Sequence, residues 1–243
     1  MRCMRLGLWR GVSCCAAVWV AALACAAQGT DVVLQKRLEA VVASHHGKVA
    51  LFATQLNTGK TVALNADQEV QTASDIKLAI LYEAMVEMRE GKAHWDEKIV
   101  LKPGEAVGGS GMLHFFDPPM TLTLKDVLTF MVIVSDNTAT NLAIDRFGVD
   151  AVNARMESLG LLNTHLYKKV MKPATGPMPA DQPKFGLGKT TPREIASLMT
   201  VIGQCRLRHR CRGSERRAAR AEDQRENEAF EHQPASAASA NSR

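Results

Sequence analysis

The sequence predicts an α+β fold, and three observations carry that prediction. Apolar residues recur at helical spacing over 31–46, where Val33, Leu34, Leu38, Val41 and Val42 form one stripe. Two β-like runs, residues 48–56 and 61–64, flank the turn Asn57-Thr58-Gly59-Lys60 and read as a hairpin. From Thr72 onward helical patterns dominate, separated by loops rich in glycine and proline. Strands and helices therefore come in runs rather than in βαβ alternation. A chain of 243 residues can build one medium domain, or two small lobes with a shared core.

Taken in order, the first helix closes at Gly47 and the hairpin follows. The next helix opens at Thr72-Ala73-Ser74-Asp75-Ile76-Lys77 and runs to about Glu90, with Gly91 beyond it. Leu81, Met85 and Met88 continue its apolar face as core filling. Ser74 lies in its first turn, and Lys77, three residues on, shares that face. A serine is a poor nucleophile at neutral pH unless a neighbour takes its proton. A lysine partly desolvated among Ile76, Leu78, Ile80 and Leu81 can take it. Residues 92–120 read mostly as loop, in which the polar, flexible pair Ser110-Gly111 can line a cleft. Residues 123–134 form a strongly apolar helix with Thr123 and Asp126 at its start. Ser135-Asp136-Asn137 marks a helix-to-helix turn, followed by helices over 138–147 and, capped by Asp150, through Leu159. Residues 162–190 are a long segment rich in proline and glycine, of the kind that is functional or disordered. Thr191-Pro192-Arg193-Glu194 then supplies an N-cap, a proline at the first helical position and a glutamate two further on. Ile195, Leu198, Met199 and Ile202 give the last helix its apolar face.

The net charge of +5 is unevenly distributed. Residues 1–26 contain Arg2, Arg5 and Arg10 and no acid, and the arginines of 205–243 outnumber its acids. The body between is close to neutral, which removes a composition-based case for nucleic-acid binding. All six cysteines (Cys3, Cys14, Cys15, Cys25, Cys205 and Cys211) lie outside that body, so no disulfide framework or cysteine metal site can form in it. Residues 1–27 read as a secretory signal peptide, with a basic start, an apolar run and the small residues Ala24-Cys25-Ala26. The apolar run is short for a membrane span. The histidines are scattered, and His45 and His46, being adjacent, do not share a helix face.

Ser-x-x-Lys at a helix start and Ser-Asp-Asn about sixty residues later together form a recognised pair. With them the chain resembles the class A-type serine β-lactamase family, within the penicillin-binding and β-lactamase-like serine hydrolases. The segment from Thr121-Leu122-Thr123-Leu124-Lys125-Asp126 to Ser135-Asp136-Asn137-Thr138-Ala139-Thr140-Asn141-Leu142 is similar to the family's central helical part, and Thr190-Thr191-Pro192 to its helix start after the loop bordering the site. The match covers about residues 31–204. It implies a two-lobe fold, a helical lobe plus a helix-flanked antiparallel sheet. It implies Ser74 as the nucleophile opening the β-lactam amide to an acyl-enzyme, Lys77 as proton acceptor and Ser135 as proton relay to the leaving nitrogen. Asn137 would bind the substrate's side-chain amide, with Ser110 lining the cleft, Asp136 would hold the turn, and the Ser74 N–H would serve as half of an oxyanion hole. No cofactor or metal is implied. The implied partner is a small β-lactam or acyl-peptide, handled by an exported, periplasmic monomer in the setting of antibiotic resistance.

Two departures stand out. The family's loop glutamate, which activates the deacylating water, has no counterpart, since no acid occurs between Glu157 and Asp181 and the matching stretch reads His165-Leu166-Tyr167-Lys168-Lys169-Val170-Met171-Lys172. Asp181 is a weak substitute. The family's Lys-Thr-Gly strand is absent too, and Gly188-Lys189-Thr190 is neither in its order nor in its place. Loss of one oxyanion donor costs about 10²–10³ in rate. The body, residues 28–204, is accordingly expected to be an incomplete hydrolase domain with only the first two strands of its sheet. Such a hairpin is marginal unless packed on helices, so low stability is expected. From Arg206 the composition turns abruptly to arginine, alanine and serine, without lysine. Residues 205–243 cannot bury a core and are expected to be disordered. They read either as a basic tail that binds acids or, preferably, as the product of a lost reading frame. The functional expectation is a serine β-lactamase-type hydrolase. The alternatives are a peptidase-like acyl-transfer enzyme, a penicillin-binding protein without turnover, and an inactive remnant.

Overall fold

The computed structural model describes residues 29–203, and the expected leader and tail lie outside them. The first helix, α1 (Val32–Ala43), starts where Asp31 accepts the Leu34 N–H at 3.0 Å. Its apolar stripe is turned only partly inward: Val33, Leu34 and Val41 are exposed, while Leu38 and Val42 are half-buried. Polar bonds fasten it instead. The Gln35 amide bonds both the N–H and the C=O of Ala63, at 3.0 and 2.9 Å. Ala63 lies on β2 (Thr61–Leu64), which pairs antiparallel with β1 (Leu51–Thr54) as the expected hairpin.

The molecule is built around α2 (Ile76–Arg89). Ile76, Ala79, Ile80, Ala84 and Val86 are buried, and so are the polar Lys77 and Glu83. A helix with buried residues all round its circumference sits inside a core. Around α2 pack α3 (Leu124–Ile133), α4 (Asn137–Phe147), α5 (Val149–Ser158) and α7 (Pro192–Gly203). Thr123 and Asp126 start α3 with a reciprocal capping box. Asp136 caps α4, and its carboxylate accepts the Ala139 N–H. The expected Asp150 cap of α5 is corrected: Gly148, with φ +85°, occupies the cap, and Asp150 lies inside the first turn. The Glu83 carboxylate, deep on α2, meets Arg155 of α5 at 2.6 Å, and Arg146 of α4 bridges Glu87 and Glu97 at 3.2 and 2.5 Å.

The strand content exceeds the expectation. The span read as loop after α2 contains β4 (Lys98–Leu101), paired antiparallel with β5 (Met120–Thr123). The long segment 162–190 holds β6 (His165–Leu166), the short helix α6 (Gln182–Phe185) and β7 (Gly188–Thr190). β7 lies between β6 and β3 (Val70–Gln71), the strand that leads into Ser74. Two- and three-residue strands carry too little alternation to be read from a sequence. Among the described residues the hairpin is therefore one of three small antiparallel sheets set around a helical body, an α+β arrangement.

Candidate active site

Ser74 sits in a 3₁₀ turn, Ala73–Asp75, one step before α2 rather than within its first α-turn. Ala73 is held at φ +42° and Ser135, across the cleft, at φ +54°. Such left-handed conformations in residues with a Cβ cost on the order of 1–3 kcal/mol each and persist where surrounding bonds over-determine them. Here the Thr72 N–H donates to Gly188 O at 3.0 Å and the Asp75 N–H to Thr72 O at 2.9 Å. Ser135 is fixed through its own carbonyl, which accepts from Lys77 Nζ at 2.7 Å.

Four of the five expected site residues meet. Lys77 Nζ lies 3.3 Å from Ser74 Oγ, 2.8 Å from Ser135 Oγ and 3.4 Å from Asn137 Oδ1. The two hydroxyls are 3.0 Å apart. Lys77 is 5% exposed, whereas Ser74 is open to solvent. Burial holds the Lys77 amine below the ordinary lysine value of 10.5, and the nearby Asp136 charge opposes that shift. An ammonium has three protons to donate, yet four oxygens surround Nζ. In the neutral amine the nitrogen lone pair can accept from one hydroxyl, which suits proton removal from Ser74. The fifth residue, Ser110, contributes its backbone: its C=O accepts the Asn137 N–H at 3.0 Å, and its side chain is exposed at the cleft.

Asp136 is fully buried, and its carboxylate bonds backbone N–H groups rather than the two hydroxyls. Besides capping α4, it accepts the N–H groups of Met112 and Leu113 at 2.6 and 2.8 Å and so ties residues 108–113 over the turn. That strap requires glycine. A Cβ on Gly111 would overlap Asp136, and one on Gly109 would lie 2.7 Å from Asn137 Nδ2. Asn137 completes the tie by donating to Gly108 O at 3.1 Å.

The loop side is organised by Asn141, one turn along α4 from Asn137. Its amide accepts the Val170 N–H at 2.8 Å and donates to Val170 O at 3.0 Å. The residue so clamped is apolar. Asp181 is committed elsewhere: it accepts from Tyr167 OH at 2.9 Å and pairs with Lys189 at 3.0 Å, which also meets Glu69 at 2.9 Å. Lys189 holds its carboxyl below the usual range, and the Tyr167 hydroxyl is pushed up to about 12 by burial and by Asp181. Lys189 itself, on β7, is spent on these two acids. Among the described residues, no group of three or more His, Cys, Asp or Glu could hold a metal ion. The sequence did not single out Asn141, Val170 or the roles of Gly109 and Gly111. The spacing of Asn137 and Asn141, four apart on one helix, was the available signal.

A family model described as "Beta-lactamase enzyme family" matches residues 33–214. Comparison with curated proteins gives no match. Among solved structures, PBP-A is 28% identical with a TM-score of 0.61, covering 73% of this chain and 63% of that one. A single-residue mutant of PBP-A, an acyl-enzyme complex with penicillin G, is 27% identical (TM-score 0.64; 74% and 64% covered). A beta-lactamase from Sphaerobacter thermophilus DSM 20745 is 28% identical (TM-score 0.62; 72% and 64%). An ancestral class A beta-lactamase, 22% identical (TM-score 0.59; 69% and 63%), shares the fold. The chain thus spans just under two thirds of the length of each of these structures.

Proposed function

Because this chain belongs to the beta-lactamase enzyme family, we propose that it is an exported serine hydrolase that opens β-lactam amides through an acyl-Ser74 intermediate. The observation that carries the reading is the triangle of Ser74 Oγ, Lys77 Nζ and Ser135 Oγ, with sides of 3.3, 2.8 and 3.0 Å. The desolvated Lys77 amine takes the Ser74 proton as Oγ attacks the lactam carbonyl carbon. The C–N bond of the lactam breaks, and its nitrogen receives a proton through Ser135 Oγ, which touches both other groups. The Asn137 side chain, held between Lys77 and Gly108, offers its amide to the substrate's side chain.

A second reading has its own support. Val170 stands clamped on the loop where the family carries its water-activating glutamate, and Asp181 is bound to Tyr167 and Lys189. Because Asp181 is the sole acid of residues 162–190 and is so engaged, the acyl-enzyme in this reading persists and the protein binds penicillin without turning it over. The PBP-A mutant seen as an acyl-enzyme with penicillin G supports the acylation step that both readings share. Nitrocefin turnover, followed beside intact-mass spectrometry, separates the readings. Sustained turnover supports the hydrolase, and a stable adduct at Ser74 without turnover supports the second reading. The absence of any adduct removes Ser74 from the role.

A further inference from the structure

Residues 168–172 form an arch fixed at both feet. Val170 is tied to Asn141 through its N–H and its C=O. The Lys172 C=O accepts from Lys168 Nζ at 2.9 Å, and Lys172 Nζ reaches Gly104 O at 3.4 Å. Between these fixed points stands Met171, with φ +56° and 68% exposed. A methionine in the left-handed region is uncommon, because its Cβ crowds the backbone there. Burial does not explain it, since the side chain is displayed to solvent.

The display has a direction. A Cβ built on Gly109 would lie 3.5 Å from the Met171 methyl and 2.7 Å from Asn137 Nδ2. The thioether and the Asn137 amide therefore flank the same bare glycine. Asn137 is the group assigned above to the substrate's side-chain amide, so a substituent on that amide must run past Met171. We propose that Met171 determines specificity, by offering an apolar, adaptable wall to the acyl substituent and favouring substrates whose substituent is aromatic or aliphatic. This rests on the acylation reading of Ser74.

The test compares acylation of Ser74 by benzylpenicillin, which carries an aromatic substituent, with acylation by 6-aminopenicillanic acid, which carries none. Second-order rate constants come from time-resolved intact-mass spectrometry on the full chain. Met171→Asn accepts φ > 0 and replaces the thioether by a polar group. It is expected to lower the benzylpenicillin to 6-aminopenicillanic acid rate ratio on the order of tenfold, as loss of an apolar contact does. Met171→Leu, which keeps an apolar side chain of similar volume, is expected to return the ratio toward that of the parent protein. An unchanged ratio in Met171→Asn overturns the proposal, and so does an equal loss on both compounds in both variants, which marks a merely structural role. If the parent protein forms no adduct with either compound, the acylation reading itself fails and this inference falls with it.

Discussion

Asp136→Asn probes how the turn between α3 and α4 holds the site. The carboxylate is fully buried and accepts three backbone N–H groups, Ala139 at one oxygen and Met112 and Leu113 at the other. Asparagine has a single acceptor oxygen. Turned toward Met112 and Leu113, it leaves the Ala139 N–H facing an NH₂ group; turned the other way, it strands two donors. The first orientation costs less. One orphaned buried donor costs about 1–3 kcal/mol, and two bonds that lose their charge assistance add about 1 kcal/mol. The variant should therefore lose about 2–4 kcal/mol, read as a lower urea midpoint at unchanged slope. The same change acts on chemistry. Asp136 supplies the charge that opposes the burial-driven depression of Lys77, so its removal lowers the Lys77 pKa further. The free amine is the reactive form, so the rising limb of the acylation pH–rate profile should move to lower pH. A variant as stable as the parent within about 0.5 kcal/mol, the scale of an ordinary surface substitution, would refute the three-bond account. A limb displaced upward would refute the electrostatic one.

In the parent protein, acylation should rise with pH through a limb centred below 10.5, because burial depresses Lys77; Lys77→Met should slow adduct formation about 10²–10⁴-fold by mass spectrometry. Val170→Glu keeps both Asn141 bonds, which are to backbone, and introduces the missing carboxylate; the acyl-enzyme lifetime should shorten at least tenfold, on the scale of a general-base contribution. Arg155→Met leaves Glu83, with its side chain 4% exposed, without its cation, and should cost about 3–5 kcal/mol in chemical denaturation. His165 is held below 6.5 by burial and by Lys189, so the folded form resists protonation that the unfolded chain accepts. Stability should consequently decline as pH falls below 6.5, and His165→Asn should flatten that decline in urea titrations.

Ser74, Lys77, Ser135 and Asn137 were legible in the sequence because helix geometry fixes the first pair, and a polar turn after an apolar helix announces the second. The helices were legible for the same reason: α3 carries its capping box in Thr123 and Asp126, and α7 carries Thr191-Pro192 at its start. What escaped depends on partners distant in the chain. β3 is two residues long and exists because β7, more than a hundred residues later, bonds to it. α1 shows why periodicity alone misleads. Its apolar stripe predicts an inward face, yet Val33, Leu34 and Val41 are exposed and Gln35 makes the attachment. Asn141 looked like one more polar helix residue until its Val170 partner stood 29 positions away.

The site divides along the same physical line. Every side chain of the acylating triangle stands on α2, on the 3₁₀ turn that leads into it or on the α3–α4 turn, and α2, α3 and α4 share one core with α5. The hairpin joins this assembly from outside: Arg193 of α7 holds Asp67 at 2.7 and 2.8 Å and lies over the Phe52 ring at 4.7 Å. The Arg193–Asp67 pair is exposed, and such pairs are worth about 0–1 kcal/mol each. None of the triangle's side chains stands on the hairpin. Deacylation in the proposed mechanism is different, because its water would be activated from the loop side, where the structure offers a backbone clamp on an apolar residue. In the proposed mechanism, acyl transfer to Ser74 and release from it thus depend on different elements of the fold, and only the first has its side chains in contact.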